Sequence, residues 1–267
     1  MDLTSQAHLN SATRRADADA VVAADSSGTL EAFRAFVDTS SSFSTNVTAD
    51  KVLAYDVADE VLDTRRVHIA HEGGDEAAGL AKFAKGSWAP RRKAFEALWE
   101  EGERLVYGAV NCGGIGTGFG SFCLVANPAS MAPPVLAVFP GDSAQRYTST
   151  AAVVDASRVV DEVTSWSDRA DLVTAERHAE VDDRREEWPA LVCSPDRYFE
   201  TVMAPGPATA NLEEVRLPED YVIELDELQA RELAGDTLDE SERSQVAAYD
   251  VIQSWRRMFG TAIREVR

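Results

Sequence analysis

Apolar residues recur three and four positions apart through much of the first 65 residues, the spacing of amphipathic helices. Residues 17–24 and 30–37 carry helix formers. Ser26-Ser27-Gly28-Thr29 separates them, with Thr29 as the expected N-cap. Ser40-Ser41-Ser42 reads as a loop. Thr48 then opens a further helix with Val52, Leu53, Val57 and Leu62 on its apolar side. At Arg66 the pattern changes. Arg66-Val67-His68-Ile69-Ala70-His71 predicts a short strand closed by Glu72-Gly73-Gly74. Helices are predicted over 76–85 and from Pro90 through Phe95, Leu98 and Trp99 to about residue 104.

From Leu105 the apolar runs are short and turn-bounded, predicting strands over 105–110, 121–125 and 135–139. Residues 155–187 are charged and predict helix in two pieces around Ser165-Trp166-Ser167. Leu191-Val192-Cys193 and residues 198–203 predict strands, Pro205-Gly206-Pro207 a turn, and residues 221–225 a last strand. Residues 241–266 predict an amphipathic helix with Val246, Tyr249, Ile252, Trp255, Phe259 and Ile263 on one face. The expected fold is α+β: a helical N-terminal region (1–65), a β-rich core (66–235) and a C-terminal amphipathic helix packed on it (236–267). Helices and strands are segregated, which disfavours a doubly wound sheet.

Charge narrows the possible functions. Of 267 residues, 46 are Asp or Glu and 26 are Lys or Arg, a net charge of −20. Such a surface repels phosphate backbones and anionic lipid, so non-specific nucleic-acid binding and membrane binding are not expected. A basic protein partner, or a basic pocket on an acidic body, stays open. No apolar run approaches the roughly 20 residues of a membrane span, and the opening residues lack a secretion signal. The expected location is the cytoplasm, or outside by a route without a cleavable signal. Cys112, Cys123 and Cys193 are odd in number and read as reduced thiols. The four histidines match no zinc spacing, so no metal is expected.

Three segments carry candidate chemistry. Glycines at 113, 114, 116, 118 and 120 form a loop between two predicted strands. It matches neither phosphate-binding glycine pattern, and a strand rather than a helix follows. It is either a flexible hairpin loop or a ligand-contacting one. His68 and His71, if on a strand, face opposite ways and do not chelate one ion together. Glu200 stands in the apolar strand Tyr198-Phe199-Glu200-Thr201-Val202, where burial demands a partner, a cleft or solvent. Glu224 in 221–225 is a weaker case of the same kind.

Several motifs together resemble a family. Tyr107-Gly108-Ala109-Val110-Asn111, Gly118-Phe119-Gly120-Ser121 and Phe139-Pro140-Gly141-Asp142-Ser143 are similar to Tyr-Gly-Ala-Leu-Asn, Arg-Phe-Gly-Ser-Cys and Thr-Phe-x-x-Gly-Asp-Ser of an uncharacterised bacterial family. Leu3-Thr4-x-Gln6, the stretch around His71 and Tyr198-Phe199-Glu200 fall in matching order. That family is distantly similar to mono-ADP-ribosyltransferases. The resemblance implies a split mixed or antiparallel β core of that type, NAD as the nucleotide substrate, and transfer of ADP-ribose to an unknown acceptor, in a toxin or effector setting. Carried over, Glu200 and His71 are catalytic. His68, His71, Tyr107, Gly118, Phe119 and Ser121 are expected to hold the nicotinamide end of NAD. Two family arginines are missing, replaced by Gly118 and by the Gly73-Gly74 stretch, and charge-assisted contacts are the strong ones. Two alternatives follow: an acidic binding protein of immunity or scaffold type on the same fold, or an enzyme for another small anionic substrate.

Overall fold

The computed structural model describes residues 2–128 and 135–266. Three helices open the chain: α1 (Leu3–Leu9), α2 (Ser11–Ala24) and α3 (Thr29–Ser40). Asp25 builds the break before α3, its carboxylate accepting from the backbone N–H groups of Ser27 and Leu30 at 2.8 Å. Thr29 is thus the first residue of α3, and its cap is Gly28. The serine stretch that follows is not a loop throughout. Ser42–Val47 forms β1, an interior strand with antiparallel partners on both edges. Its buried Ser44, Thr45 and Asn46 disguise it as polar sequence.

Next comes α4 (Ala49–Ala58), which leaves Leu62 beyond its end. The expected strand at 66–71 is instead α5 (Thr64–His71). Asp63 caps it, accepting from the Arg65 and Arg66 N–H groups at 2.9 and 3.0 Å. Gly73 and Gly74 have positive φ and close this helix rather than a strand, the Gly74 N–H reaching the Ile69 carbonyl at 2.9 Å. Two more helices follow, α6 (Glu76–Ala84) and α7 (Ala89–Glu96); the latter stops short of the predicted residue 104.

The middle strands stand as predicted: β2 (Val106–Asn111), β3 (Phe122–Ala126) and β4 (Val135–Phe139). The next stretch is more broken than its charge pattern predicted. It holds α8 (Ser143–Tyr147), α9 (Ala156–Glu162), β5 (Thr164–Ser165) and α10 (Arg169–Arg177). Residues 191–192 end a helix, α11 (Trp188–Val192), before β6 (Cys193–Ser194), β7 (Arg197–Tyr198) and β8 (Glu200–Ala204). A strand hidden among charges, β9 (Leu212–Pro218), comes next. Residues 221–225 are not a strand but part of α12 (Glu219–Leu233), whose buried Val222, Leu225 and Leu228 recur every three residues. The last helix, α13 (Glu240–Phe259), stops at Gly260. Its expected extension is β10 (Ala262–Val266).

The strands β10-β9-β3-β1-β2-β8-β4-β5 form one continuous eight-stranded sheet, in that order, rather than a split one. All its neighbours are antiparallel except β9 and β10. It draws strands from all three stretches that the patterning separated. The class is α+β with a mixed sheet. Strand alternation turns Ala137 and Phe139 of β4 toward α1, α7, α8 and α9, and Val138 toward α3, α10 and α11. A third cluster packs β1, β3 and β9 against α4, α12 and α13. There Trp255 is buried and its indole N–H donates to Asp56 at 2.8 Å. Among the described residues, no helix is long and apolar enough to cross a membrane.

Candidate functional site

Strand β8 lies between β2 and β4, and its first residue, Glu200, is flanked by Ala109 and Phe139. A cleft of about 920 Å³ opens there. That is near the upper end of small-molecule sites, about 300–1,000 Å³. Residues of β1 and β2 and the start of β8 line it from the sheet. Helices α4 to α7 contribute one side, and residues 140–146 and 195–198 the other.

Glu200 is only 6% exposed. The backbone N–H of Ser143 donates to Glu200 Oε1 at 3.0 Å, and the Ser143 hydroxyl donates to the same oxygen. Burial and the neighbouring Asp142 push the carboxyl up to about 8, against the pull of both Ser143 donors. Glu200 therefore holds a proton at neutral pH. Asp142 caps α8 through the Gln145 N–H at 2.7 Å and receives a long bond from the Tyr198 hydroxyl at 3.5 Å.

Tyr107 stands nearby, its hydroxyl donating to the buried Glu96 at 3.2 Å. Arg65 closes on the other Glu96 oxygen. The Arg92 guanidinium lies 4.1 Å from the centre of the Tyr107 ring and donates to the Thr64 hydroxyl. Burial and the Glu96 charge hold the Tyr107 phenol well above its ordinary range. Lys51, half-buried on α4, is lowered by burial and by the Arg92 charge, against Asp50.

His68 also lines the cleft. Burial and the nearby His71, Lys82 and Lys51 lower it, so its ring is neutral at pH 7. Its buried Nδ1 has no hydrogen-bond partner among the described residues. Two aromatics stand at the cleft with much of their rings open: Trp88 (49% exposed) and Phe119 (63% exposed). Phe119 meets Tyr198 edge-on at 6.2 Å.

Four residues singled out in the sequence thus share one cleft: Glu200, Tyr107, His68 and Phe119. Three do not line it: His71, Gly118 and Ser121. His68 and His71 are three residues apart on a helix, so the opposite faces expected of a strand do not apply. The His71 Nε2 lies 3.4 Å from both the backbone oxygen and the carboxylate of Asp50. Ser121 lies against Tyr221. The glycine loop folds around buried Asn46. That side chain donates to the Ile115 and Gly120 carbonyls at 3.0 Å and accepts from the Thr117 N–H at 2.8 Å. A Cβ on Gly116 would stand 2.1 Å from Asn46 Oδ1, and one on Gly120 2.2 Å from the Val47 carbonyl. Gly116 and Gly120 thus serve packing, and Thr117 and Phe119 reach the cleft.

No family model and no curated protein matches the chain. The cleft carries charges of both signs. Glu200, Asp142 and Asp63 are its acidic groups near the sheet, and Lys51 and Arg92 are cations without an ion pair among the described residues. Sequence reasoning passed over Lys51, Arg92 and Trp88, and met Asp142 only within the Gly-Asp-Ser motif. One signal was available: Arg91-Arg92-Lys93 is the only run of three basic residues in a strongly acidic chain.

Proposed function

We propose that the chain is an ADP-ribosyltransferase-like enzyme that cleaves the nicotinamide–ribose bond of NAD and transfers ADP-ribose to an acceptor. The observation that supports this reading best is the buried Glu200 sharing a cleft with Tyr107, His68 and Phe119, residues marked by the family resemblance. In this reaction the bond from ribose C1′ to the pyridinium nitrogen breaks, and its electron pair neutralises the nitrogen. Positive charge grows on the ribose until the acceptor's nucleophile bonds to C1′ and passes its proton to water. A carboxylate beneath that sugar stabilises the transition state more than the ground state. The cationic pyridinium, once bound, favours the ionised form of Glu200 against the opposing charge of Asp142. The open faces of Phe119 and Trp88 suit flat rings.

A second reading rests on the proton that Glu200 retains when the cleft holds no cation. Such a group serves as a general acid toward another small anionic substrate. Release of nicotinamide from NAD, with and without Glu200→Gln, tests both. The first reading expects a loss of at least about 100-fold with the fold intact, the order seen when transition-state charge stabilisation is removed. Full activity of the variant removes Glu200 from the mechanism. Absence of nicotinamide release by the unaltered chain gives way to the second reading.

A further inference from the structure

The cationic pair Lys51 and Arg92 in the cleft is unusual in a chain of net charge −20. The other basic residues lining the cleft are engaged: Arg146 with Glu162 at 2.6 Å, Arg177 with Glu180 at 3.5 Å, and Arg197 also with Glu180. Lys51 and Arg92 are different. Among the described residues, neither forms an ion pair. Arg92 is held by the Tyr107 ring and the Thr64 hydroxyl, which fix its plane without neutralising it. Asp50, next to Lys51 in the chain, is largely exposed and faces His71. Of the buried carboxylates, Glu96 is taken by Arg65 and Tyr107, and Asp63, which also lines the cleft, accepts from the Arg65 and Arg66 N–H groups. Two like charges are thus kept near each other in a partly desolvated space, an arrangement that an anion between them stabilises.

The neighbouring groups fit such a guest. The Thr64 oxygen accepts from Arg92, so its own proton is free to be donated. His68 lines the same cleft. Arg92 offers a planar fork suited to two oxygens at once, and Lys51 a compact point charge.

We infer that Lys51, Arg92 and Thr64 form a binding site for the phosphoryl oxygens of a phosphate or pyrophosphate group. The site is the anion subsite of the same cleft. It rests on the proposed function for its role in catalysis, though not for its binding. It supplies from α4 and α7 the positive charge missing at the positions of the two lost arginines.

Calorimetric titration of the full chain with inorganic pyrophosphate tests it. The expected result is saturable binding that weakens with added salt. Lys51→Met and Arg92→Met each weaken it at least tenfold, about 1.4 kcal/mol. Glu200→Gln binds at least as well as the unaltered chain, because it removes acid and not cation. ADP-ribose, which carries the group, competes; adenosine, which lacks it, does not. Absence of saturable binding at millimolar pyrophosphate overturns the inference. So does a Lys51→Met chain that binds as tightly as the original. Arg92 also braces Tyr107, so if Arg92→Met fails to fold, Lys51→Met alone decides. Pyrophosphate binding without nicotinamide release overturns the proposed enzyme and leaves this site standing. Nicotinamide release without pyrophosphate binding does the reverse.

Discussion

Glu200→Gln is also a test of stability, and its sign can be worked from the structure. Burial beside Asp142 raises the carboxyl from its ordinary value near 4.5 to about 8. Between those two values the folded chain keeps a proton that the unfolded chain has released. Stability therefore falls as pH rises, by up to about 1.4 kcal/mol per pH unit, and levels off above pH 8. The whole loss is about 3–5 kcal/mol, the lower figure allowing for water in the cleft. Glutamine is neutral throughout. Its oxygen can accept both Ser143 donors, and its amide can stand beside Asp142. Urea unfolding of both chains at pH 5 and pH 9 measures the difference. Near pH 5 the two are expected to be close. At pH 9 the variant is expected to be more stable by about 3–5 kcal/mol, with an unchanged denaturant slope. A gap that does not move with pH, or a variant that is weaker at pH 9, refutes the claim that Glu200 is protonated in the folded chain at neutral pH.

Two further outcomes follow from packing. Cys112, Cys123 and Cys193 are all buried; burial pushes Cys112 up to about 12 and Cys123 to about 11, with Cys193 moved the same way. A thiol-specific disulfide reagent at pH 8 is expected to leave the native chain unlabelled and to titrate all three after denaturation; rapid labelling of the native chain refutes this. Gly120→Ala places a Cβ 2.2 Å from the Val47 carbonyl. It is expected to cost about 1–3 kcal/mol and lower the melting temperature by about 3–10 °C, whereas an unchanged melting curve shows that the loop is not held against β1.

Much of the architecture follows from local pattern alone. The strands β2, β3 and β4 are legible because each is a short apolar run bounded by turns. The same holds for α13, whose Val246, Tyr249, Ile252 and Trp255 repeat at helical spacing and are buried. The helix α5 was legible in principle: Asp63-Thr64 is a cap signal, and the paired glycines close a helix as readily as a strand. Other elements depended on distant partners. The central strand β1 carries Ser44, Thr45 and Asn46, which are buried only because Tyr107, Asn111 and the glycine loop, some 60 to 75 residues away, supply their hydrogen bonds. The strand β9 buries Arg216 because Glu214 and Asn111 satisfy it. Such satisfaction is a property of the fold, invisible to hydropathy.

The candidate site divides in the same way. Glu200 announced itself as a carboxyl in an apolar strand, and Tyr107 and Phe119 lay in motifs with a family resemblance. What only the tertiary structure decided is that His68 rather than His71 joins them, and that Lys51 and Arg92 arrive from two helices. Side-chain chemistry is written residue by residue. Which charges are left without a counter-charge depends on every neighbour the fold brings within reach.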